Sequence, residues 1–427
     1  MFVFYTFANL LKLSVYMIDF QKFTLDNGLK VIVHQDKTTP VVAMNILYNV
    51  GAKDENPELT GFAHLFEHLM FGGSVNIPKY DEPLQKVGGE NNAFTNNDIT
   101  NYYLSLPKEN IETAFWIESD RMLNLAFTDK SLEVQRSVVI EEYKQRYLNQ
   151  PYGDIWLQLR PLIYKVHPYQ WATIGKSIKH IEDARMEDVK GFYSKFYNPD
   201  NAILVVAGDV DLDDIKILSQ KWFGTIDKKS PMRGNIPMEP VQTEARFLKL
   251  ERDVPANAVF KAYHMVDRLH HDYQTTDLIS DLLGNGKSSQ LYSSLVTDKQ
   301  IFTSINCFVS GDIHPGVIYV AGYLSEGVKA EEADKAIQNE LTDFCNTLVD
   351  DKKLQKVKNK FMAAKEFSNL SILDKAMNLA YYELLGDASL VNTELETYMK
   401  VSPNDIQRVS NQIFTTKNSN TLYYLRK

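Results

Sequence analysis

The run His64-Leu65-Phe66-Glu67-His68 sets two imidazoles four residues apart with a carboxylate between them. On a helix, residues i and i+4 share a face about one turn apart, so both rings can aim a nitrogen at one ion. Glu67, at i+3 from His64, flanks that face. The chemistry this suits is metal-assisted hydrolysis, in which neutral imidazoles hold zinc and a neighbouring carboxylate takes a proton from water. Imidazole binds metal only when neutral, so such a site should fail in mild acid. The alternative is two satisfied core histidines beside an exposed glutamate. With 9 histidines in 427 residues, a chance H-x-x-E-H should arise on the order of once per hundred such chains.

Catalytic zinc commonly takes three protein ligands and leaves the fourth place to water, so another donor must come from elsewhere. Cys307 and Cys345 are far apart and fit no zinc-binding spacing, and the other histidines are scattered. A carboxylate is therefore expected, and the helical stretch 131–148 offers Glu141 and Glu142. The segment around the histidine pair reads as a helix. Thr60 stands where an N-cap would, Ala63, Leu65, Phe66, Leu69 and Met70 supply apolar contacts, and Gly72-Gly73 should end it.

The chain resembles the pitrilysin/insulinase family of inverted-motif zinc metallopeptidases, which also contains the mitochondrial processing peptidase. The resemblance runs over nearly the whole length. It rests on Leu25-Asp26-Asn27-Gly28-Leu29, on the H-x-x-E-H run followed by Phe71-Gly72-Gly73-Ser74, and on Gly89-Glu90-Asn91-Asn92-Ala93-Phe94-Thr95. Val138-Val139-Ile140-Glu141-Glu142, His167-Pro168-Tyr169, Tyr197-Asn198-Pro199-Asp200-Asn201 and Ala207-Gly208-Asp209 extend it. The resemblance implies that Glu142 is the third zinc ligand, with Glu141 as the fallback, and that Glu67 is the general base. Helical phase agrees, because Gln135, Val138, Val139 and Glu142 share a face. Where the family commonly has a further Glu two turns before the ligand, this chain has Gln135.

Residues 90–95 resemble the edge strand to which the family's substrates add a β-strand, with Asn92 and Ala93 as the expected contacts. Main-chain pairing of that kind gives affinity with weak side-chain discrimination, which suits a peptidase acting on extended peptides. Read from composition alone, the same residues could be an Asn-rich turn.

A balance of 46 basic to 55 acidic residues, formal charge -9, argues against a nucleic-acid-binding surface. Two cysteines make no disulfide framework and fit a reducing compartment, so a cytoplasmic location is expected. Residues 1–16 are apolar and aromatic with Lys12 as the only charge. They read as a mis-assigned start ahead of Met17, or as a leader that would point to the periplasm or a membrane surface; the run is too short for a stable span.

The Pro-, Lys- and Gly-rich stretch 227–243 reads as a linker between residues 17–226, which carry the zinc motif, and residues 244–427, which repeat the plan without it. A helix through Phe192 and Phe196 followed by Asn201 and Ile203-Leu204-Val205-Val206 recurs at 406–414, Asn418 and Leu422-Tyr423-Tyr424-Leu425, and 41–48 resembles 258–264. Alternation predicts strands at 41–48 and 317–323 and amphipathic helices at 331–349 and 351–367. The fold expected is α+β, two homologous halves, each an antiparallel sheet covered by helices.

Complete active sites of the family carry an Arg and a Tyr seven residues apart in a half equivalent to the second one here; their place falls on Val296 and Thr303. The resemblance therefore implies a heterodimer with a related zinc-less subunit that supplies the pair, or a homodimer with substituted donors such as Tyr102 or Tyr103. The reading is a zinc endopeptidase acting on peptides or unfolded polypeptides. A non-catalytic structural or peptide-binding subunit is the alternative.

Overall fold

In a computed structural model, residues 17–230 and 234–427 are described, so the expectations for 1–16 lie outside the described residues. Among the described residues, eleven strands assemble into two sheets. The first contains β1 (Gln21–Thr24), β2 (Lys30–Gln35), β3 (Val41–Tyr48), β4 (Glu90–Thr95), β5 (Thr100–Pro107) and β6 (Ala202–Gly208) in the order β1-β2-β6-β3-β5-β4. The second contains β7 (Arg246–Arg252), β8 (Ala258–His264), β9 (Phe302–Val309), β10 (Val317–Leu324) and β11 (Ser419–Arg426) in the order β7-β11-β8-β10-β9. Each is antiparallel except for one parallel pair, β2 with β6 and β7 with β11. Setting β1 aside, the two orders coincide strand for strand, and β3 corresponds to β8 as their sequences suggest. The two halves are homologous and the fold is α+β.

Strands such as β6, Ala-Ile-Leu-Val-Val-Ala-Gly, are buried along their whole length, which requires cover on both faces of the sheet. Side chains alternate between those faces. Val31, Val33, Val42, Met44, Ile46 and Leu204 lie in one core with the helices Phe62–Leu69, Ile111–Asn124, Asp129–Tyr143 and Met186–Phe196. Ile32, Ala43, Leu47, Ile203 and Val205 face the other way, against Ala376, Leu379 and Ala380 of helix Ile372–Leu384. That helix comes from the second half of the chain. In return Ile155, Leu159 and Ile163 of helix Ile155–Ile163 cover Ala258, Phe260, Val317 and Leu422 of the second sheet. Each half thus closes the other's sheet.

Charged contacts fasten the exchanged helix Ile372–Leu384. Lys375 Nζ lies 2.9 Å from Asp36, and Glu383 receives Lys22 and Lys30 at 3.1 Å each. The tips of hairpins β4–β5 and β9–β10 also meet. Asn97 donates to Asp312 at 2.6 Å, the Ile313 N–H to Asp98 at 2.9 Å, and Lys53 Nζ reaches the same Asp98 at 2.7 Å. Among its described residues, 227–243 forms no helix or strand, yet it is tied down. Glu239 accepts the backbone N–H groups of Lys165, Val166 and His167 at 2.8–3.0 Å. The helices expected at 331–349 and 351–367 are Ala330–Asn346 and Asp351–Ser368. Asp350 separates them by capping the second, accepting from Lys352 N–H at 2.7 Å. No helix among the described residues is long and apolar enough to cross a membrane.

Lys375, hydrogen-bonded to Asp36, holds that carboxyl well below the usual carboxylate range. A carboxyl pKa lowered by folding adds stability that is present above its unfolded value and is lost as pH falls toward the folded one. Asp36→Asn should therefore melt at a lower temperature than the parent at pH 7, and the gap should start to narrow below about pH 4 and shrink as pH falls further. Thermal melts across pH 3–7 check this; a gap independent of pH would refute it.

Candidate metal centre

The histidine pair lies on helix Phe62–Leu69, and its N-terminus is not capped by Thr60 as the sequence suggests. Thr60 Oγ1 is taken by the Lys176 N–H at 2.8 Å and by His180 Nδ1 at 2.8 Å. Glu55 caps instead. Its buried carboxylate accepts the Gly61 N–H at 2.9 Å, the Ala63 N–H at 2.8 Å and Trp171 Nε1 at 3.0 Å, satisfying donors that the first turn of a helix leaves free. Burial pushes the Glu55 carboxyl up to about 8 against the pull of these three bonds. Gly61 has φ +93°, and a Cβ there would stand 2.8 Å from the Ile174 carbonyl oxygen, so this entry into the helix requires glycine.

From that helix His64 and His68 face helix Asp129–Tyr143. Glu142 Oε2 lies 3.3 Å from His68 Nε2 and 3.7 Å from His64 Nε2. One donor atom from each of the three lies within 4.8 Å of the others. Glu141 points to solvent and pairs with Lys144 at 2.6 Å. Burial, which leaves His64 only 13% exposed, pushes its pKa down to about 4. It is therefore a neutral imidazole at neutral pH, the form that ligates metal. The His64 Nδ1 is buried without a hydrogen-bond partner. The His68 hydrogen bond holds the Glu142 carboxyl below its ordinary value. Two imidazole nitrogens and one carboxylate oxygen converging from two rigid helices fit zinc by donor type and number.

Glu67 projects beside this cluster and hydrogen-bonds to Thr95, the last residue of β4. Burial raises its pKa, opposed by the Thr95 hydrogen bond. β4 is the outermost strand of its sheet. Along it Ala93 is buried and Asn92 exposed, and Asn92 Oδ1 accepts the Ala93 N–H at 2.8 Å.

Three further residues matter here that the motif alone does not mark: Glu55, Thr95 and Arg146. Arg146 Nη1 lies 2.9 Å from Glu142 Oε1. An acid followed four residues later by a base is the signal that could have found it.

Tyr102 is not available as a substitute oxyanion donor. It is 1% exposed, beneath helix Phe62–Leu69, with the Arg121 guanidinium 4.2 Å from its ring centre. Tyr103, next along β5, points to the opposite face of the sheet from the histidine helix. Val296 packs on the second core, and Thr303 donates to the Tyr323 carbonyl at 3.1 Å. Among the described residues, His270, His271 and Asp272 are also close enough to share an ion, but Arg408 occupies the Asp272 carboxylate at 2.6 and 3.0 Å. His264 is a packing residue, with Nε2 3.1 Å from the Ile163 carbonyl oxygen.

The described residues thus form two homologous α+β halves, with a histidine pair and a glutamate meeting in the first. Residues 30–153 match the family described as Insulinase (Peptidase family M16), and residues 183–361 match the Peptidase M16 inactive domain. The zinc protease PqqE of Helicobacter pylori is 30% identical over 418 residues, covering 96% of this chain and 93% of that protein. The crystal structure of a protease from Helicobacter pylori superposes with a TM-score of 0.91 at 28% identity, over 96% of this chain and 100% of that one. The mitochondrial-processing peptidase subunit beta of Saccharomyces cerevisiae is 28% identical over 268 residues, 61% of this chain and 57% of that protein. The chain belongs to the pitrilysin/insulinase family, peptidase family M16.

Removing the buried Glu55 carboxyl leaves the Gly61 and Ala63 N–H groups unpaired, while Trp171 Nε1 keeps the Ala52 carbonyl at 3.0 Å. Glu55→Ala should cost about 3 kcal/mol of folding stability, and Glu55→Gln, which keeps an acceptor, clearly less. Urea unfolding of the metal-free variants measures both; a loss below about 0.5 kcal/mol in the Ala variant would show that the cap is dispensable.

Proposed function

We propose that the chain is a zinc-dependent endopeptidase that hydrolyses peptides or unfolded polypeptides bound as an extra strand on β4. The observation that carries this reading is the meeting of His64, His68 and Glu142 within 4.8 Å, with Glu67 alongside and bonded to the end of an edge strand. His64, His68 and Glu142 would hold the metal. A zinc ion held there would supply a Lewis acid and lower the pKa of water to near neutrality.

Glu67 would take the proton from the attacking water and return it to the leaving amine. A carboxyl raised above its ordinary value by burial is a stronger base than a solvated one. An incoming peptide would pair with the free side of β4 at Asn92 and Ala93. Asn92 Oδ1 now covers the Ala93 N–H, so the Asn92 side chain must turn away as the peptide main chain takes over that donor.

The oxyanion is the weak point. Val296 and Thr303 bring neither a guanidinium nor a phenol, and loss of one such donor slows turnover by roughly a hundred- to a thousandfold. A related zinc-less subunit carrying the Arg/Tyr pair would complete the site, as a heterodimer; a homodimer is the other arrangement. That a relative is named as a subunit, the beta subunit of the mitochondrial-processing peptidase, supports pairing. We place the functional units at residues 17–226 and 244–427, joined by 227–243. The buried free thiols Cys307 and Cys345 suit a reducing, cytoplasmic setting. The missing donors also favour a second reading, a peptide-binding subunit that does not cleave.

The test is hydrolysis of a mixed fluorogenic peptide library by the zinc-loaded chain, alone and with candidate related subunits, with zinc content measured on the same samples. Expected is one zinc per chain, weak cleavage alone, a rise of roughly a hundredfold or more with the right partner, and no cleavage by Glu67→Gln although zinc is retained. Zinc and peptide binding without cleavage under every condition would establish the second reading; absence of zinc would leave a structural role.

A further inference from the structure

The two oxygens of Glu142 have separate partners. Oε2 faces the imidazoles, 3.3 Å from His68 Nε2 and 3.7 Å from His64 Nε2, while Oε1 lies 2.9 Å from Arg146 Nη1. The terminal torsion of a glutamate is broad and roughly two-fold. Left alone, this carboxylate could turn either oxygen, or both, toward the histidines. A guanidinium bond to Oε1 removes that freedom.

The backbone is built to bring Arg146 there. Helix Asp129–Tyr143 passes into a single wide turn, Lys144–Leu148, closed by an i to i+5 bond from the Asn149 N–H to the Lys144 carbonyl at 2.8 Å. Such π turns are uncommon inside helices and frequent at functional sites. Within it Tyr147 turns inward against Tyr143, ring centres 5.5 Å apart, and anchors the turn. Arg146 turns outward, 71% exposed, and folds back over a carboxylate that is only 17% exposed. An arginine that exposed contributes little to the core. Gln135, two turns before Glu142 on the same helix, brings no charge to the site.

We propose that Arg146 is a positioning residue that holds Glu142 as a one-oxygen metal ligand; this rests on the zinc reading above. Arg146 touches neither the imidazoles nor, on this reading, the metal. It acts through Glu142 by pre-ordering the carboxylate, as outer partners of ligating side chains do elsewhere with effects of about ten- to a hundredfold on metal affinity.

The test measures zinc affinity by competition with a chromophoric chelator, and the visible spectrum of the cobalt-loaded chain, for the parent, Arg146→Ala, Arg146→Lys, Glu142→Ala and the double variant. Arg146→Ala should bind zinc about ten- to a hundredfold more weakly. Its cobalt bands should lose intensity, because a carboxylate free to give both oxygens raises the coordination number. Arg146→Lys should recover part of the affinity. In the Glu142→Ala background, loss of Arg146 should cost nothing further, since the two residues act as one unit. Unchanged affinity and spectrum in Arg146→Ala, or an equal loss with and without Glu142, would overturn the proposal. If the parent chain binds no zinc, the metal reading itself falls and takes the proposal with it, an outcome distinct from parent-like binding by the Arg146 variants.

Discussion

Neither sheet can be buried by the helices that surround it in sequence. Strands β3, β6, β8 and β10 are apolar on both faces, and burial of apolar surface is the dominant favourable term in folding. Each sheet therefore needs a second layer, and each receives it from the other half: Ile372–Leu384 lies on the first sheet and Ile155–Ile163 on the second. This exchange packs each half against the other's sheet in spite of their internal repeat. It also explains the polar contacts along the joint. Asp36 and Glu383 meet Lys375 and Lys22, and Asp98 meets the Ile313 N–H, each from the other half of the chain, where they fix the register of surfaces that apolar packing alone would let slide.

On that shared frame the halves have diverged at one helix crossing. In the first, helix Phe62–Leu69 meets helix Asp129–Tyr143, and the contact is made by two imidazoles and a carboxylate. In the second, the helices in the same places along the chain, Tyr273–Gly284 and Asp351–Ser368, meet through an ion pair between Asp281 and Lys360 at 3.5 Å. An ion pair satisfies itself; two imidazoles converging on one carboxylate form a donor set that a metal ion could share. The difference between a site and a strut is thus a matter of which donors remain unspent.

The site's electrostatics follow from where the groups sit. His64 is neutral because it is buried, and Glu142 stays ionised because His68 and Arg146 bond its two oxygens separately. Glu67, between them in sequence, is raised by burial yet tethered to Thr95. Glu67 and the end of the strand edge are thereby joined, so that a chain paired along β4 would pass beside Glu67.

Much of this was written in local sequence. The i, i+4 histidine pair with its intervening glutamate and the repeat of strand and helix patterns between the halves are consequences of periodicity, which acts within a few residues; the preference for Glu142 over Glu141 comes from the family resemblance, with which helical phase agrees. What periodicity cannot reach is the partner across space. Thr60 has the right type and place for a cap, yet its hydroxyl is claimed by His180 and Lys176 from 116 or more residues away, and Glu55 caps instead. Tyr102 has the chemistry of an oxyanion donor and is walled into the core. The exchanged helices look in sequence like ordinary members of their own halves. Local spacing determines which residues can share a face; only the closed tertiary structure, through burial and competition among donors, decides what that face meets.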